Sequence, residues 1–155
     1  MLKIFTYPLP ILQSRAQEIE RIDEETLSLI LQMKQTMDAN NGIGLAAPQI
    51  GVSKRIIIVK DKKENHAFLN PQILKQSRKK EEDEEGCLSL PGLFMQVKRA
   101  KRVEVLALTP EGKEVKIEAE GLTSRIFQHE IDHLNGKLII HRVSLWTRLL
   151  RHFKK

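Results

Sequence analysis

A single cysteine, one tryptophan and one tyrosine stand in a chain of 155 residues. Cys87 has no partner for an internal disulfide, so the fold must hold without cross-links and a reducing compartment is expected. It is either a small buried hydrophobe or a sulfur that does chemistry. Long apolar runs are missing too. The longest unbroken aliphatic stretch, Ile56 to Val59, falls far short of the roughly 20 residues that cross a bilayer. Met1 to Gln17 is broken by Pro8 and Pro10 and lacks the basic start and apolar core of an export signal. Neither membrane spanning nor export is expected, which makes the reading cytoplasmic. Eight glycines and six prolines are too few for a disordered chain when 41% of residues are apolar.

Acidic residues are absent from the end of the chain. Lys and Arg outnumber Asp and Glu by 26 to 20, a net +6. His133 to Lys155 holds six basic residues and no acidic one, so residues 1–132 balance at 20 against 20. A neutral body argues against a broad nucleic-acid-binding face, DNA included, whereas the basic end could touch RNA or another anionic surface.

No internal repeat or linker divides the chain. The only low-complexity segment, Arg78 to Glu85, reads as a solvated edge or loop. Asp23 is placed to cap a helix in which Leu27, Ile30, Leu31, Lys34 and Met37 recur at helical spacing, stopped by Asn40-Asn41-Gly42. Arg55 to Lys60 and His66 to Leu69 read as strands, the second ended by Asn70-Pro71, with Ile73 to Lys80 continuing the sheet. Lys101 to Glu120 alternates on both sides of Thr109-Pro110-Glu111-Gly112, so Val103, Val105 and Ala107 should face Val115, Ile117 and Ala119 in an antiparallel hairpin. A second helix is predicted over Leu122 to Leu134, ended by Asn135-Gly136. Trp146, Leu149, Leu150 and Phe153 predict a short basic amphipathic helix over 144–155, following a single domain over 1–143. Strands gathered around two or three helices without regular βαβ alternation make the fold class α+β.

His129-Glu130-Ile131-Asp132-His133 is an HExxH motif on the second predicted helix. Four residues are just over one turn, so both imidazoles project from one side and can bind one ion, with Glu130 within reach of a water on it. The alternative, two core histidines bonded to carbonyls, is weakened by their place on the stripe shared with Leu122 and Ile126. No acidic residue follows Asp132, which excludes the downstream Glu of thermolysin-like proteases, and Ile139 occupies the position where metzincins have a third His. With His141 after an apolar run and His152 in the basic tail, the third ligand is expected upstream, and Cys87 is the natural candidate because thiolates bind borderline metals well. Gly42-Ile43-Gly44-Leu45-Ala46-Ala47-Pro48-Gln49 forms a third constellation. Its small residues allow close backbone approach to a ligand or a neighbouring strand, or simply make a tight turn into the core.

Together the three segments resemble the peptide deformylases. Gly42 to Gln49 is similar to the family's GxGxAAPQ motif, Glu85 to Ser89 to EGCxS, and Gln128 to His133 to QHExDH, in the same order, within a resemblance running from Tyr7-Pro8 to about Arg142. It implies antiparallel sheets packed around a central motif-bearing helix, and hydrolytic removal of the N-formyl group from the initiator formylmethionine of nascent bacterial-type polypeptides, releasing formate. The implied metal ligands are Cys87, His129 and His133, and Glu130 is the implied general base and acid. Gln49 and the Leu88 backbone N–H would bind the formyl oxygen, Gly44 would pair with the substrate backbone, and Ile43, Leu122 and Ile126 would line the methionine pocket. One divalent ion is implied, Fe²⁺ in cells, although two His and one Cys also suit Zn²⁺, Ni²⁺ or Co²⁺. Three protein ligands leave a fourth position for water, acidified toward a pKa of about 7, as the nucleophile.

Two departures stand out. Phe94 sits where many relatives carry Tyr or Arg, and the tail beyond Val143 is short beside members whose C-terminal helix docks on the ribosome. That tail is expected either to contact the ribosome or to pack on its own domain. The competing functional reading is a non-catalytic, metal-stabilised binding module, which would unfold on chelation and tolerate loss of Glu130.

Overall fold

Asp23 starts the first helix: its carboxylate accepts from the Thr26 backbone N–H at 2.9 Å and from the Thr26 hydroxyl at 2.8 Å. The helix, α1, runs Glu24–Ala39 with Glu24 and Glu25 at its positive end. These positions come from a computed structural model that describes residues 1–144. The expected tail helix, Ser144 apart, lies outside the described residues. The buried face of α1 differs from the expected stripe. Thr26, Ile30, Met33, Thr36 and Met37 turn inward, whereas Leu27 and Leu31 are 44% and 58% exposed. The stripe centred on Ile30, Met33 and Met37 meets the sheet, and Leu27 and Leu31 fall on its flank.

Five strands form one antiparallel sheet in the order β1-β2-β3-β6-β7, namely Gly44–Ala46, Ile56–Asp61, Glu64–Gln76, Arg102–Leu108 and Glu114–Glu120. The hairpin register is as predicted: Val103 faces Ala119, Val105 faces Ile117 and Ala107 faces Val115. Asn70-Pro71 does not end a strand. β3 continues through it by an irregular step between Leu69 and Gln72, with Asn70 at φ 50°. The Asn70 side chain accepts from the Ile19 N–H and donates to the Ile19 carbonyl, tying the N-terminal segment to the bend. The continuation stops at Gln76, short of Lys80.

Of the two expectations for the charged run Arg78 to Glu85, the solvated edge holds from Lys80 onward, with Lys80 to Glu84 exposed and Glu85 buried. Lys80–Cys87 is β4, paired with Leu90–Ala100, β5, in a separate two-stranded sheet. Glu81 stands opposite Arg99 and Glu82 opposite Lys98 across the pair, and of the acidic run Glu81 lies 3.7 Å from Lys101 Nζ while the buried Glu85 is held by Arg99. No strand was expected over β5, which opens with Pro91-Gly92, Gly92 at φ 75°.

The second helix, α2, runs Gly121–Leu134 and ends at Asn135 with Gly136 at φ 72°. A Cβ at Gly136 would stand 2.7 Å from the Gln13 carbonyl, so the stop serves both conformation and packing. α2 covers one sheet face with Ile126, Phe127, Ile131 and Leu134 against Ile57, Val59, Val103 and Val105. α1 covers the other, packing Ile30, Met33 and Met37 with Ile56, Ile58 and Leu69. Coverage on both faces explains why Ile56 to Val59 is apolar throughout rather than alternating. A third cluster joins β5 to the turn Ile139–His141 through Leu90, Val97, Leu138 and Ile139. Antiparallel sheets around two helices confirm the α+β class, and no helix among the described residues is long and apolar enough to cross a membrane.

Candidate active site

Three distant segments meet at one wall of the sheet. β1 and the 3-10 turn Ala47–Ile50 bring Gly44 and Gln49, the end of β4 brings Cys87 and Leu88, and α2 brings His129, Glu130 and His133. Every expected site residue except His133 borders a single cavity of about 720 Å³, and His133 lies just behind it, buried. Gly44 is there because nothing larger fits: a Cβ would stand 2.8 Å from Glu130 Cδ and 2.9 Å from Ile126 Cγ2. Ile43 and Leu122 are 47% and 62% exposed at the cavity rim, while Ile126 is buried at its base. Phe94 is also on the wall, its ring against Gly86.

The imidazole Nε2 atoms of His129 and His133 are 3.2 Å apart, and Cys87 Sγ is 3.3 Å from His133 Nε2. All three donor atoms lie within 4.8 Å of one another. Tetrahedral coordination at about 2.0–2.1 Å for nitrogen and 2.3 Å for sulfur separates ligand atoms by about 3.3–3.6 Å, so this spacing suits one ion. A soft thiolate with two imidazoles suits Zn²⁺ or Fe²⁺ better than Mg²⁺ or Ca²⁺. His141 is not part of the cluster of donors, and its Nδ1 accepts from the Leu138 backbone N–H at 2.9 Å.

His129 donates from Nδ1 to Glu85 Oε2 at 3.3 Å, so when an ion displaces the second ring proton the Nε2 lone pair faces the other donors. Burial alone would lower the His129 pKa, but hydrogen bonds to Cys87 and Glu85 outweigh it and lift it to about 10. His133 lies well below its ordinary value, first through burial and then through the positive charges of His129 and Arg99. Burial pushes the Glu130 carboxyl up to about 7 against the pull of His129. Glu130 Oε2 is buried with no hydrogen-bond partner among the described residues, which leaves it open to a proton or a ligand. Gln49 is held at its oxygen by the Ala46 N–H at 2.9 Å, so its amide nitrogen points to Cys87 Sγ at 3.7 Å and Ser89 Oγ at 3.3 Å.

Sequence reasoning assigned no role to the ionic network behind the donors. Arg99 grips Glu85 through Nε at 2.8 Å and Nη2 at 3.0 Å, and reaches Asp132 Oδ2 at 2.6 Å. Arg125 adds a bond to Glu85 Oε1 at 3.1 Å, and Arg142 closes on Asp132 with both Nε and Nη2. Burial would raise Glu85, yet the hydrogen bonds and charges of His129 and Arg99 hold it at about 2. Gln128 is also structural, accepting from the Ala100 N–H and donating to the Ala100 carbonyl. Glu85, Gln128 and Asp132 all lie inside quoted motifs, the one available signal. Arg99 and Arg125 had none.

Comparison with known proteins agrees with this architecture. The family model described as polypeptide deformylase matches residues 1–148. A peptide deformylase from Halothermothrix orenii is 51% identical over 137 residues, 86% of this chain and 88% of that protein. One from Thermotoga maritima is 42% identical over 150 residues, 97% of this chain and 92% of its own. The crystal structure of the Thermotoga maritima enzyme superimposes with a TM-score of 0.91, covering 93% of this chain and 98% of that one. A peptide deformylase from Synechococcus elongatus in complex with actinonin gives 0.92 at 38% identity, covering 97% and 82%. On sequence and fold alike, the chain belongs to the polypeptide deformylase family.

Proposed function

We propose that the chain hydrolyses the N-formyl group from the N-terminal formylmethionine of nascent polypeptides, releasing formate, with Cys87, His129 and His133 holding one divalent ion, Fe²⁺ in cells. The convergence of that donor triad with the unpartnered, buried Glu130 carboxylate carries the reading. An ion held there would supply Lewis acidity and would acidify a water for attack on the formyl carbon. Glu130 accepts the proton of the attacking water and returns it to the amine as the carbon–nitrogen bond breaks. A carboxyl near 7 suits both halves of that shuttle. Gln49 donates its amide N–H to the formyl oxygen as negative charge grows, joined by the Leu88 backbone N–H, and the Ala46 bond keeps the Gln49 amide from swinging round.

Substrate placement follows from the edge position of β1. Gly44 pairs with Val59 on one side only and offers its other side to an extended peptide. The exposed side chains of Ile43 and Leu122, with Ile126 beneath, receive the methionine side chain, which accounts for two apolar groups left at the surface. A formyl group has only hydrogen beyond its carbonyl carbon, so a narrow site admits it and rejects internal peptide bonds.

The test is metal analysis together with formate release from a formyl-Met peptide, for wild type, Glu130→Gln and Cys87→Ala. Glu130→Gln is expected to retain its ion and lose turnover by about 10² to 10⁴, and Cys87→Ala to lose the ion. A metal-replete Cys87→Ala protein of normal activity, or an undiminished Glu130→Gln, would overturn the assignment.

A further inference from the structure

Five side chains form an unbroken chain of charge-assisted bonds from the last described turn to the candidate metal centre. Arg142 holds both oxygens of Asp132, with Nε on Oδ2 at 2.8 Å and Nη2 on Oδ1. The same Oδ2 accepts from Arg99 Nη1 at 2.6 Å, Arg99 grips both oxygens of Glu85, and Glu85 Oε2 accepts from His129 Nδ1. Two joints in the chain, Arg142 with Asp132 and Arg99 with Glu85, are two-point contacts between planar groups, which fix orientation as well as distance. Asp132, Arg99 and Glu85 are each less than 9% exposed at the side chain, whereas Arg142 is 41% exposed. Arg142 therefore contributes little core packing. Its guanidinium locks the plane of Asp132, and that plane sets where Arg99 meets Glu85.

We infer that Arg142 is a positioning residue for the metal centre, acting through Asp132, Arg99 and Glu85 on the orientation of His129. This rests on the metal-dependent reading above and extends it to a residue outside the three motifs. Arg125 also holds Glu85, so loss of Arg142 loosens the relay without dismantling it. The expected effect lies at the lower end of the range for outer-shell partners of metal ligands, about tenfold in metal affinity.

Full-length wild type, Arg142→Ala, Arg142→Lys and Arg142→Gln are titrated with Co²⁺, following thiolate-to-cobalt absorption, and assayed at saturating Co²⁺ on a formyl-Met peptide. Arg142→Ala should bind Co²⁺ about tenfold more weakly, with kcat reduced and KM unchanged, and Arg142→Lys should recover part of the affinity. A purely structural Arg142 would lower thermal stability and leave Co²⁺ affinity where it was. A dissociation constant for folded Arg142→Ala within about twofold of wild type would overturn the inference, given an outer-shell effect of about 10-fold or more. If Arg142→Ala does not fold, Arg142→Gln, which keeps an N–H for Asp132 without the charge, decides by the same threshold. Wild type that takes up no Co²⁺ would sink the metal-dependent reading as well, whereas tight binding by both wild type and Arg142→Ala would sink the relay alone.

Discussion

Gln49 shows how a single side chain is committed before any substrate arrives. Its oxygen is occupied by the Ala46 N–H, and its nitrogen lies between Ser89 Oγ and Cys87 Sγ in a buried position. Removing one such donor typically costs about 10² to 10³ in rate. Gln49→Ala should therefore lower kcat for formate release by that factor while retaining the ion, and unchanged kcat would exclude Gln49 from the oxyanion role. Cys87, His129, Glu130 and His133 were legible as candidates because metal chemistry demands those residue types, and Gln49 because its segment resembles a motif of the deformylases. Glu85, Arg99 and Arg125 were not. Glu85 and Arg99 are 14 residues apart in sequence, and Glu85 and Arg125 are 40 apart, so no local pattern reveals the pairing.

Elements were legible where short-range rules govern them. The Asp23 cap and the Asn135-Gly136 stop depend on residues within a few positions of one another, and the 102–120 hairpin register follows from the turn at Thr109 to Gly112 together with the alternation on either side of it. The buried face of α1 was not, because both flanks of its apolar stripe satisfy the same periodicity and only contact with the sheet chooses between them. Leu27→Ala and Leu31→Ala should each shift stability by less than about 0.5 kcal/mol. Ile30→Ala should cost about 2–5 kcal/mol. Urea unfolding of the three variants decides the matter, and an equal loss at Leu31 would contradict the packing. The acidic strand β4 teaches the same lesson: it pairs with β5 along its whole length, and its one buried acid, Glu85, is held by Arg99 of that strand.

At the scale of the whole molecule, the ionic network should appear in acid unfolding. The Glu85 carboxyl sits near 2 in the folded protein against an ordinary 4.5, so folding favours its ionised form. That contribution is complete above pH 4.5, shrinks as the pH falls and is gone near pH 2. It amounts to on the order of 3 kcal/mol. Stability of wild type should decline over this window, and Glu85→Gln, though less stable overall, should decline less steeply. Parallel pH curves would show that Glu85 is not the group responsible. Three apolar clusters pack without using the donor triad as their centre. Chelation should accordingly abolish formate release while far-UV circular dichroism is retained, whereas unfolding on chelation would favour the metal-stabilised binding module.

The α+β class, the second helix with its two histidines, and the set of reactive side chains could all be read from order along the chain, since helix periodicity, turn residues and metal-binding chemistry operate over a few neighbouring positions or through residue type alone. Tertiary structure decided which flank of α1 is buried, that the acidic run pairs as a strand, and that Arg142, Asp132, Arg99 and Glu85 line up behind His129. Burial and charge pairing are settled by whichever groups folding brings together, and in the relay behind His129 those groups stand from 10 to 44 residues apart in sequence.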